Sequence, residues 1–355
     1  MTGNTYRYAM MDLSMLLQKN ISGISRNNPP GTYTAGDLVK SIIYTINKFP
    51  RDFGITADKY ILLSDKWLSD YPGYYTTKIV GGAYKDSRGD IKSAQGKADP
   101  KSTYMTDEIY QQLVEEGASK EILEKAYSDL YRNKVRHEAK EILLMELAYF
   151  GIPAFYIPGW EYDNLAYVAA EVLKTDDKKS VFIARDSDIM YVLNDNVDYF
   201  SVPTSKEAKE KNYGIKTFSD VCSEIPNEIL DKVSLYEYKT IIDSFGSGHN
   251  GLRCVKKKKF YSNIALAQEI IEGDLSNLDD LEQFELQKST FNVHDYPEYQ
   301  EAVHIITDLF PTAGSIGTFE DWTDWCNSHK GLEGLIQQPF YNKFISRFDK
   351  NLFTL

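Results

Sequence analysis

Two hydrophobic periods take turns along the first half of the chain. YRYAMMDL (6–13) and DKYILLSD (58–65) carry short apolar runs that predict strands, and between them AGDLVKSIIYTINKF (35–49) spaces its apolar residues as an amphipathic helix does. The helical period returns over KEILEKAYSDLYRNKVRHEAKEILLMELAYFG (120–151), followed by a short strand PAFYIP (153–158), a helix NLAYVAAEVLK (164–174) and a strand SVFIAR (180–185). Strands alternating with helices predict an α/β fold with a parallel central sheet and helices on both faces. Such sheets carry their sites at the carboxyl ends of the strands. Residues 82–118 break the pattern: they are rich in Gly, Lys, Ser and Asp with little periodicity. A long polar stretch inside a domain is usually functional or disordered. From about residue 205 the pattern is helical, with SFGSGHNGL (244–252) separating two helices.

Each strand runs into acid. The first ends at Asp12, the second at Asp65; Glu161 and Asp163 follow the third, and Asp186 and Asp188 follow SVFIAR. Any one of these reads equally as a loop residue or a helix N-cap. Six together are harder to read that way, because carboxylates brought within a few Å must take up protons or share a cation. Oxygen-only ligands select hard cations such as Mg²⁺ or Mn²⁺. A cluster of this size suits two-metal phosphoryl chemistry, in which one ion activates water and the other stabilises the leaving oxygen. Residues two apart point to one side of extended backbone, so Asp186 with Asp188, and Glu161 with Asp163, can reach a common region.

Composition narrows this little. A chain of 355 residues with 42% hydrophobic and 26% charged residues is an ordinary globular sequence. It has no apolar run near the roughly 18 residues that cross a bilayer. No basic segment leads into an apolar one at the N-terminus, so a secretory leader is not expected. Cys222, Cys254 and Cys326 are too few and too scattered for a disulfide framework or a cysteine zinc site, which fits a reducing cytoplasm. The net charge of −12 is unevenly spread: residues 236–260 hold six Lys/Arg against Glu237 and Asp243, while residues 261–300 hold nine acids against Lys288. A phosphate backbone can lie along the first stretch and is repelled by the second.

On these residues the sequence resembles the 5′-nuclease superfamily of flap endonucleases, most closely the RNase H and 5′-exonuclease branch of tailed phages. YAMMDLSMLL is similar to the family's first metal-binding motif at Asp12, and YILLSDKW to its second at Asp65. GWEYDNLAYVAAEVL resembles the E-x-D-[DN] helix motif at Glu161, Asp163 and Asn164, and VFIARDSDIMYVL the D-x-D motif at Asp186 and Asp188. The resemblance implies a PIN-like or flap-endonuclease-like sheet, with an arch inserted over the active site at about 82–140. AYKDSRGD would begin the arch: Tyr84 would stack on a base while Lys85 and Arg88 contact the scissile phosphate. EYKTIIDSFGSGHNGLRCVKKKKF resembles the helix–three-turn–helix, about 236–260, that grips duplex backbone through glycine amides and a potassium ion. Gly246, Gly248, Asn250, Lys256, Lys257 and Lys258 would make those contacts, with Lys259 also available. The implied organisation is a catalytic domain over 1–205 and a helical domain over 206–355, and the resemblance covers roughly residues 5–260.

One departure matters. Phage members carry G-D-x-x-D-N in the turn, supplying acids to a second metal; aligned on Asn250, this chain has Gly246 and His249 in place of those acids, and Asp243 falls three residues early. The first ion is thus provided for by Asp12, Asp65, Glu161, Asp163 and Asp186, whereas the second rests on Asp188. The implied function is Mg²⁺- or Mn²⁺-dependent hydrolysis of RNA or DNA 5′ ends on a duplex, including RNA primer removal. The implied partners are branched or nicked duplex DNA, RNA–DNA hybrids, and a phage single-strand binding protein or clamp. The protein would act as a monomer, without a membrane, in the cytoplasm of an infected bacterium. Two other readings stay open: a branched-DNA-binding relative that cuts poorly or not at all, and a PIN-like single-strand ribonuclease.

Overall fold

The computed structural model describes residues 4–65, 105–203, 207, 213–245, 254–255, 263–310 and 317–345. In chain order these form β1 (Asn4–Asp12), α1 (Leu13–Ser25), α2 (Ala35–Phe53), β2 (Ile55–Leu63), α3 (Asp107–Glu115), α4 (Lys120–Met145), β3 (Ala154–Phe155) and α5 (Tyr162–Leu173). There follow β4 (Ser180–Ala184), β5 (Val197–Ser201), β6 (Ile215–Lys216), α6 (Phe218–Cys222), α7 (Asn227–Leu230), α8 (Leu235–Ser244) and α9 (Asn263–Ile271). The last elements are α10 (Leu281–Phe291), α11 (Tyr299–Leu309), α12 (Phe319–Ser328) and α13 (Gln338–Ile345). The described residues fall into two compact units, one of 4–64, 105–155 and 317–345, the other of residue 65 with 156–310. The architecture is α/β with mostly parallel strands.

In the first unit β1 and β2 pair in parallel from Asn4↔Ile55 to Asp12↔Leu63, and β3 continues on β2 with Leu63↔Phe155. Tyr8 to Met11 and Tyr60 to Leu63 are buried as continuous runs, as strands covered on both faces are. The second strand begins at Ile55, earlier than its hydrophobic run suggests, because Gly54 takes a left-handed φ of 69° and turns the chain straight out of α2. The start of α2 is a capping box: Asp37 N–H donates to the Thr34 hydroxyl at 3.2 Å, and the Asp37 carboxylate accepts the Thr34 N–H at 3.1 Å. The third strand is shorter than the expected 153–158, and the helix expected over 120–151 ends at Met145. A 3₁₀ turn, Leu147–Phe150, and Gly151 at φ 87° intervene. Within the expected arch, residues 82–104 lie outside the described residues; α3 and α4 pack around Met105, Leu113, Ala126 and Leu130.

The C-terminal helices belong to this same unit. The Thr34 hydroxyl donates to the Lys330 carbonyl at 2.8 Å, and the Lys40 ammonium donates to the Gly331 carbonyl at 2.6 Å. Approach is close enough that a Cβ on Gly36 would lie 2.3 Å from the Lys330 carbonyl oxygen. Trp322, fully buried, stands edge-on to Phe150 with ring centroids 4.9 Å apart. Tyr341 and Phe344 of α13 are buried too, so the aromatic end of the described chain is packed helix.

In the second unit β4 and β5 run parallel from Ser180↔Val197 to Ala184↔Ser201, and β6 closes on β5 in the opposite sense. Every residue of β4 is buried. Helix α5 is buried on most of its surface, through Leu165, Ala166, Val168, Ala169, Ala170 and Leu173, and packs against α11. Small residues on three of those positions allow neighbouring elements to come close. No helix among the described residues is long and apolar enough to cross a membrane.

Candidate functional site

The turn before α5 sets the position of its acids. Trp160 N–H donates to the Ile157 carbonyl at 3.1 Å across Pro158 and Gly159, and Gly159 has φ 87°. Pro followed by a residue at positive φ is the sequence of a type II turn, which needs glycine there. Trp160 is fully buried and meets Tyr296 edge-on at 5.2 Å. The next residue, Glu161, is thereby fixed as the N-cap of α5, and its N–H donates to Asn164 Oδ1 at 3.0 Å. Asp163 Oδ1 accepts the Asn164 N–H at 3.0 Å. Asp65 arrives at the same helix end: its Oδ1 accepts the Tyr162 N–H at 2.6 Å. Three carboxylates thus gather where the peptide dipoles of α5 favour negative charge.

Asp186 and Asp188 follow β4. Asp186 is the N-cap of a 3₁₀ turn, Ser187–Val192, and its Oδ1 accepts the Asp188 N–H at 3.1 Å. Asp186 is exposed and Asp188 half-buried. In the first unit Asp12 caps α1, with Oδ1 accepting the Met15 N–H at 3.0 Å. An ionised carboxylate has about four lone-pair sites, and each of these bonds uses one.

A cleft of about 40 Å³ opens beside the α5 acids, lined by Glu161, Asp163, Asp188, Tyr236, Lys239 and Asp243 among others. It has room for water-sized species and none for a nucleotide. Among the described residues no three His, Cys, Asp or Glu side chains converge as a ready-made ligand set for an ion. The donor chemistry of Asp65, Glu161, Asp163 and Asp186 is that of a hard divalent cation. The far side of the cleft is different. Lys239 of α8, only 8% exposed, donates to the Asp243 carboxylate one turn on and lies 3.4 Å from Asp188 Oδ2. Burial alone would lower the lysine's pKa, but Asp243, Asp188 and Asp163 outweigh it and hold the ammonium above its ordinary value.

Aromatic rings lock α8 onto α5. Tyr236 stacks on Tyr167 with centroids 3.7 Å apart and planes 18° from parallel. Its hydroxyl donates to the Phe291 carbonyl at 2.9 Å and accepts the Val293 N–H at 3.0 Å. Tyr167 shares a 2.7 Å hydrogen bond with His294 Nε2. Burial pushes both phenols well above their usual range. At the end of α8 the buried Gln287 amide donates to the Ser244 carbonyl at 2.7 Å, and Cys254 N–H donates to the Phe245 carbonyl at 3.2 Å.

Tyr84, Lys85, Arg88, Gly246, Gly248, His249, Asn250 and Lys256 to Lys259 all lie outside the described residues. Sequence reasoning counted Lys239 among the basic residues open to a phosphate backbone, whereas it is buried against Asp243 and Asp188, and it passed over Tyr167, Tyr236 and His294. Of these, Lys239 had a signal: it sits four residues before Asp243 on a helix, the spacing of an ion pair.

No protein-family model and no curated protein matches the chain. Solved structures do. A bacteriophage T5 protein co-crystallised with metal ions is 14% identical over 97% of this chain and 98% of its own, with a TM-score of 0.45. The T5 flap endonuclease in a pseudo-enzyme–product complex with DNA and metal ions is 14% identical over the same shares, with a TM-score of 0.46. The T5 5′-exonuclease with bound zinc is 15% identical over 97% of this chain and 98% of its own, with a TM-score of 0.44.

Proposed function

We propose that this protein is a divalent-metal-dependent nuclease that hydrolyses phosphodiesters at RNA or DNA 5′ ends carried on duplex. The observation that carries the reading is the meeting of Asp65 with the start of α5. A carboxylate that follows the second strand is bonded to the helix end that also bears Glu161 and Asp163. A bare helix cap needs one such acid; three at one helix end offer carboxylate oxygens of the kind a hard divalent cation takes.

In this reading Asp65, Glu161, Asp163 and Asp186, with Asp12, hold Mg²⁺ or Mn²⁺. The bound ion supplies Lewis acidity at a phosphodiester oxygen and lowers the pKa of water. The chain's own contributions are positional. The Asp65 carboxylate is held by the Tyr162 N–H, and Glu161 is placed at the N-cap of α5 by its own N–H bonded to the Asn164 side chain, so both positions are set before substrate arrives. Lys85 and Arg88 orient the phosphate and offset its charge. Tyr84 stacks on a base, and residues 244–259 grip the duplex backbone. The catalytic region would span 1–205 with its arch at 82–140, and the duplex-binding region 206–355.

A labelled 5′ flap and an RNA–DNA hybrid, each incubated with Mg²⁺ and with Mn²⁺, test this. Short 5′ products should appear with the intact protein and vanish with Asp186→Ala. Cleavage that persists in that variant, or that needs no metal, overturns the assignment. A second reading, a protein that binds branched DNA and cuts it slowly, is favoured by Lys239 beside Asp188. It would shift the flap in a gel and leave most of it uncut with either metal. A PIN-like ribonuclease would cut unstructured RNA without regard to a junction.

A further inference from the structure

The acids of the cluster divide by what faces them. Asp65, Glu161 and Asp163 meet backbone N–H groups at the start of α5. Asp188 and Asp243 meet a lysine. We infer that the Lys239 ammonium occupies the second cation position of the acidic cluster, joining Asp188 to Asp243 and keeping a divalent ion off that pair. This rests on the metal-dependent reading above and narrows it to one exchangeable ion with one built-in positive charge.

Three features support it. First, the lysine is not a surface residue bending inward: its side chain is 10% exposed and that of Asp243 13%. Burying an ammonium is costly unless it is paired, so the charge is held there by the carboxylates it meets. Second, its two carboxylates come from separate elements, the turn after β4 and helix α8. Lys239 therefore does what a bridging cation would do, which a lysine paired only within its own helix does not. Third, the cleft at this point is about 40 Å³. A divalent ion entering between Asp188 and Asp243 would have to displace the ammonium or sit against a like charge.

The substitution has a chemical consequence. An ammonium is a donor of three hydrogen bonds and a single charge, and it cannot be washed out. It can hold an anionic oxygen in place, but it lacks the Lewis acidity of a metal ion. The second of two ions is therefore not expected to exchange, because it is part of the chain.

Manganese binding to the metal-free full-length protein, counted by electron paramagnetic resonance and by calorimetry, tests this. Lys239→Met should bind one Mn²⁺ more per chain than the natural protein, and Lys239→Arg should bind the same number as the natural protein. Equal counts and affinities in Lys239→Met and the natural protein overturn the inference. Should Lys239→Met fail to fold by circular dichroism, Asp243→Asn decides. Unchanged Mn²⁺ affinity there supports the inference, and a loss of about tenfold or more, the scale of a lost supporting contact, overturns it. Failure of the nuclease reading looks different. The natural protein would bind no Mn²⁺, while a site gained in Lys239→Met would still show that the ammonium keeps the ion out.

Discussion

Asp65 and Tyr162, 97 residues apart, are joined by a 2.6 Å hydrogen bond from the Tyr162 N–H to the Asp65 carboxylate. The bond satisfies one of the N–H groups that a helix leaves without a partner at its start. The bond itself uses one lone-pair site of the carboxylate, and the proposed function gives the same carboxylate a second role as a metal ligand.

These two roles separate by mutation. Asp65→Ala should lower stability by about 1–2 kcal/mol in urea unfolding of the metal-free protein, the range of a lost N-terminal acceptor. Asp65→Asn keeps an acceptor oxygen and should unfold close to the natural protein while binding Mn²⁺ more weakly. Equal stability of the alanine variant and the natural protein would show that the bond contributes nothing.

The junction of α2 with the C-terminal helices is tight at one atom. A methyl group at Gly36 must push the Lys330 carbonyl away from 2.3 Å. Gly36→Ala should therefore cost about 1–3 kcal/mol, the range for overpacking, despite alanine's better helix propensity. Calorimetry should show a lower Tm, and limited proteolysis should cut first within 317–345. An unchanged Tm would mean that the C-terminal segment yields without loss.

Acid should destabilise the protein through its helix caps. Burial works to raise the Asp37 pKa, but hydrogen bonds from Lys40 and Thr34 overcome it and hold the pKa below the usual value. Thr217 lowers that of Asp220, and Thr318 that of Asp321. A depressed folded-state value means stability that is fully present above the unfolded pKa, about 4, and lost as pH falls through the lower folded value. Tm measured from neutral pH downward should hold until about pH 4 and then fall. Asp37→Asn should begin lower and fall less steeply; a parallel decline would remove Asp37 from the account.

Much of the α/β alternation was legible because its signals are local. The apolar run before Asp12, the helical spacing of 35–49 and the closed run of 180–184 each specify their element without help from elsewhere. Helix α1 was legible and passed over: Leu13, Leu16, Leu17 and Ile21 repeat at helical spacing directly after Asp12. The short third strand was harder, since Tyr156 to Pro158 looks extended until Gly159 is known to turn. What sequence could not supply was pairing between distant segments. Lys239 reads as a solvated face of α8 until Asp188 is brought to it, and residues 317–345 read as a tail until Lys330 meets Thr34. The pairing of Lys239 with Asp243 has a local spacing, while its meeting with Asp188 from another element does not.

The return of the C-terminal helices to α2 also sets an order of assembly. All of the second unit's described residues have been translated by residue 310, whereas the first unit still lacks 317–345 at that moment. As synthesis runs from the N-terminus and domains fold as units, the part of the molecule that begins first is the part that must finish last. Until Lys330 leaves the ribosome, Thr34 and Lys40 have no carbonyls to meet, and the strand pair β1–β2 waits beside a helix whose outer face is bare.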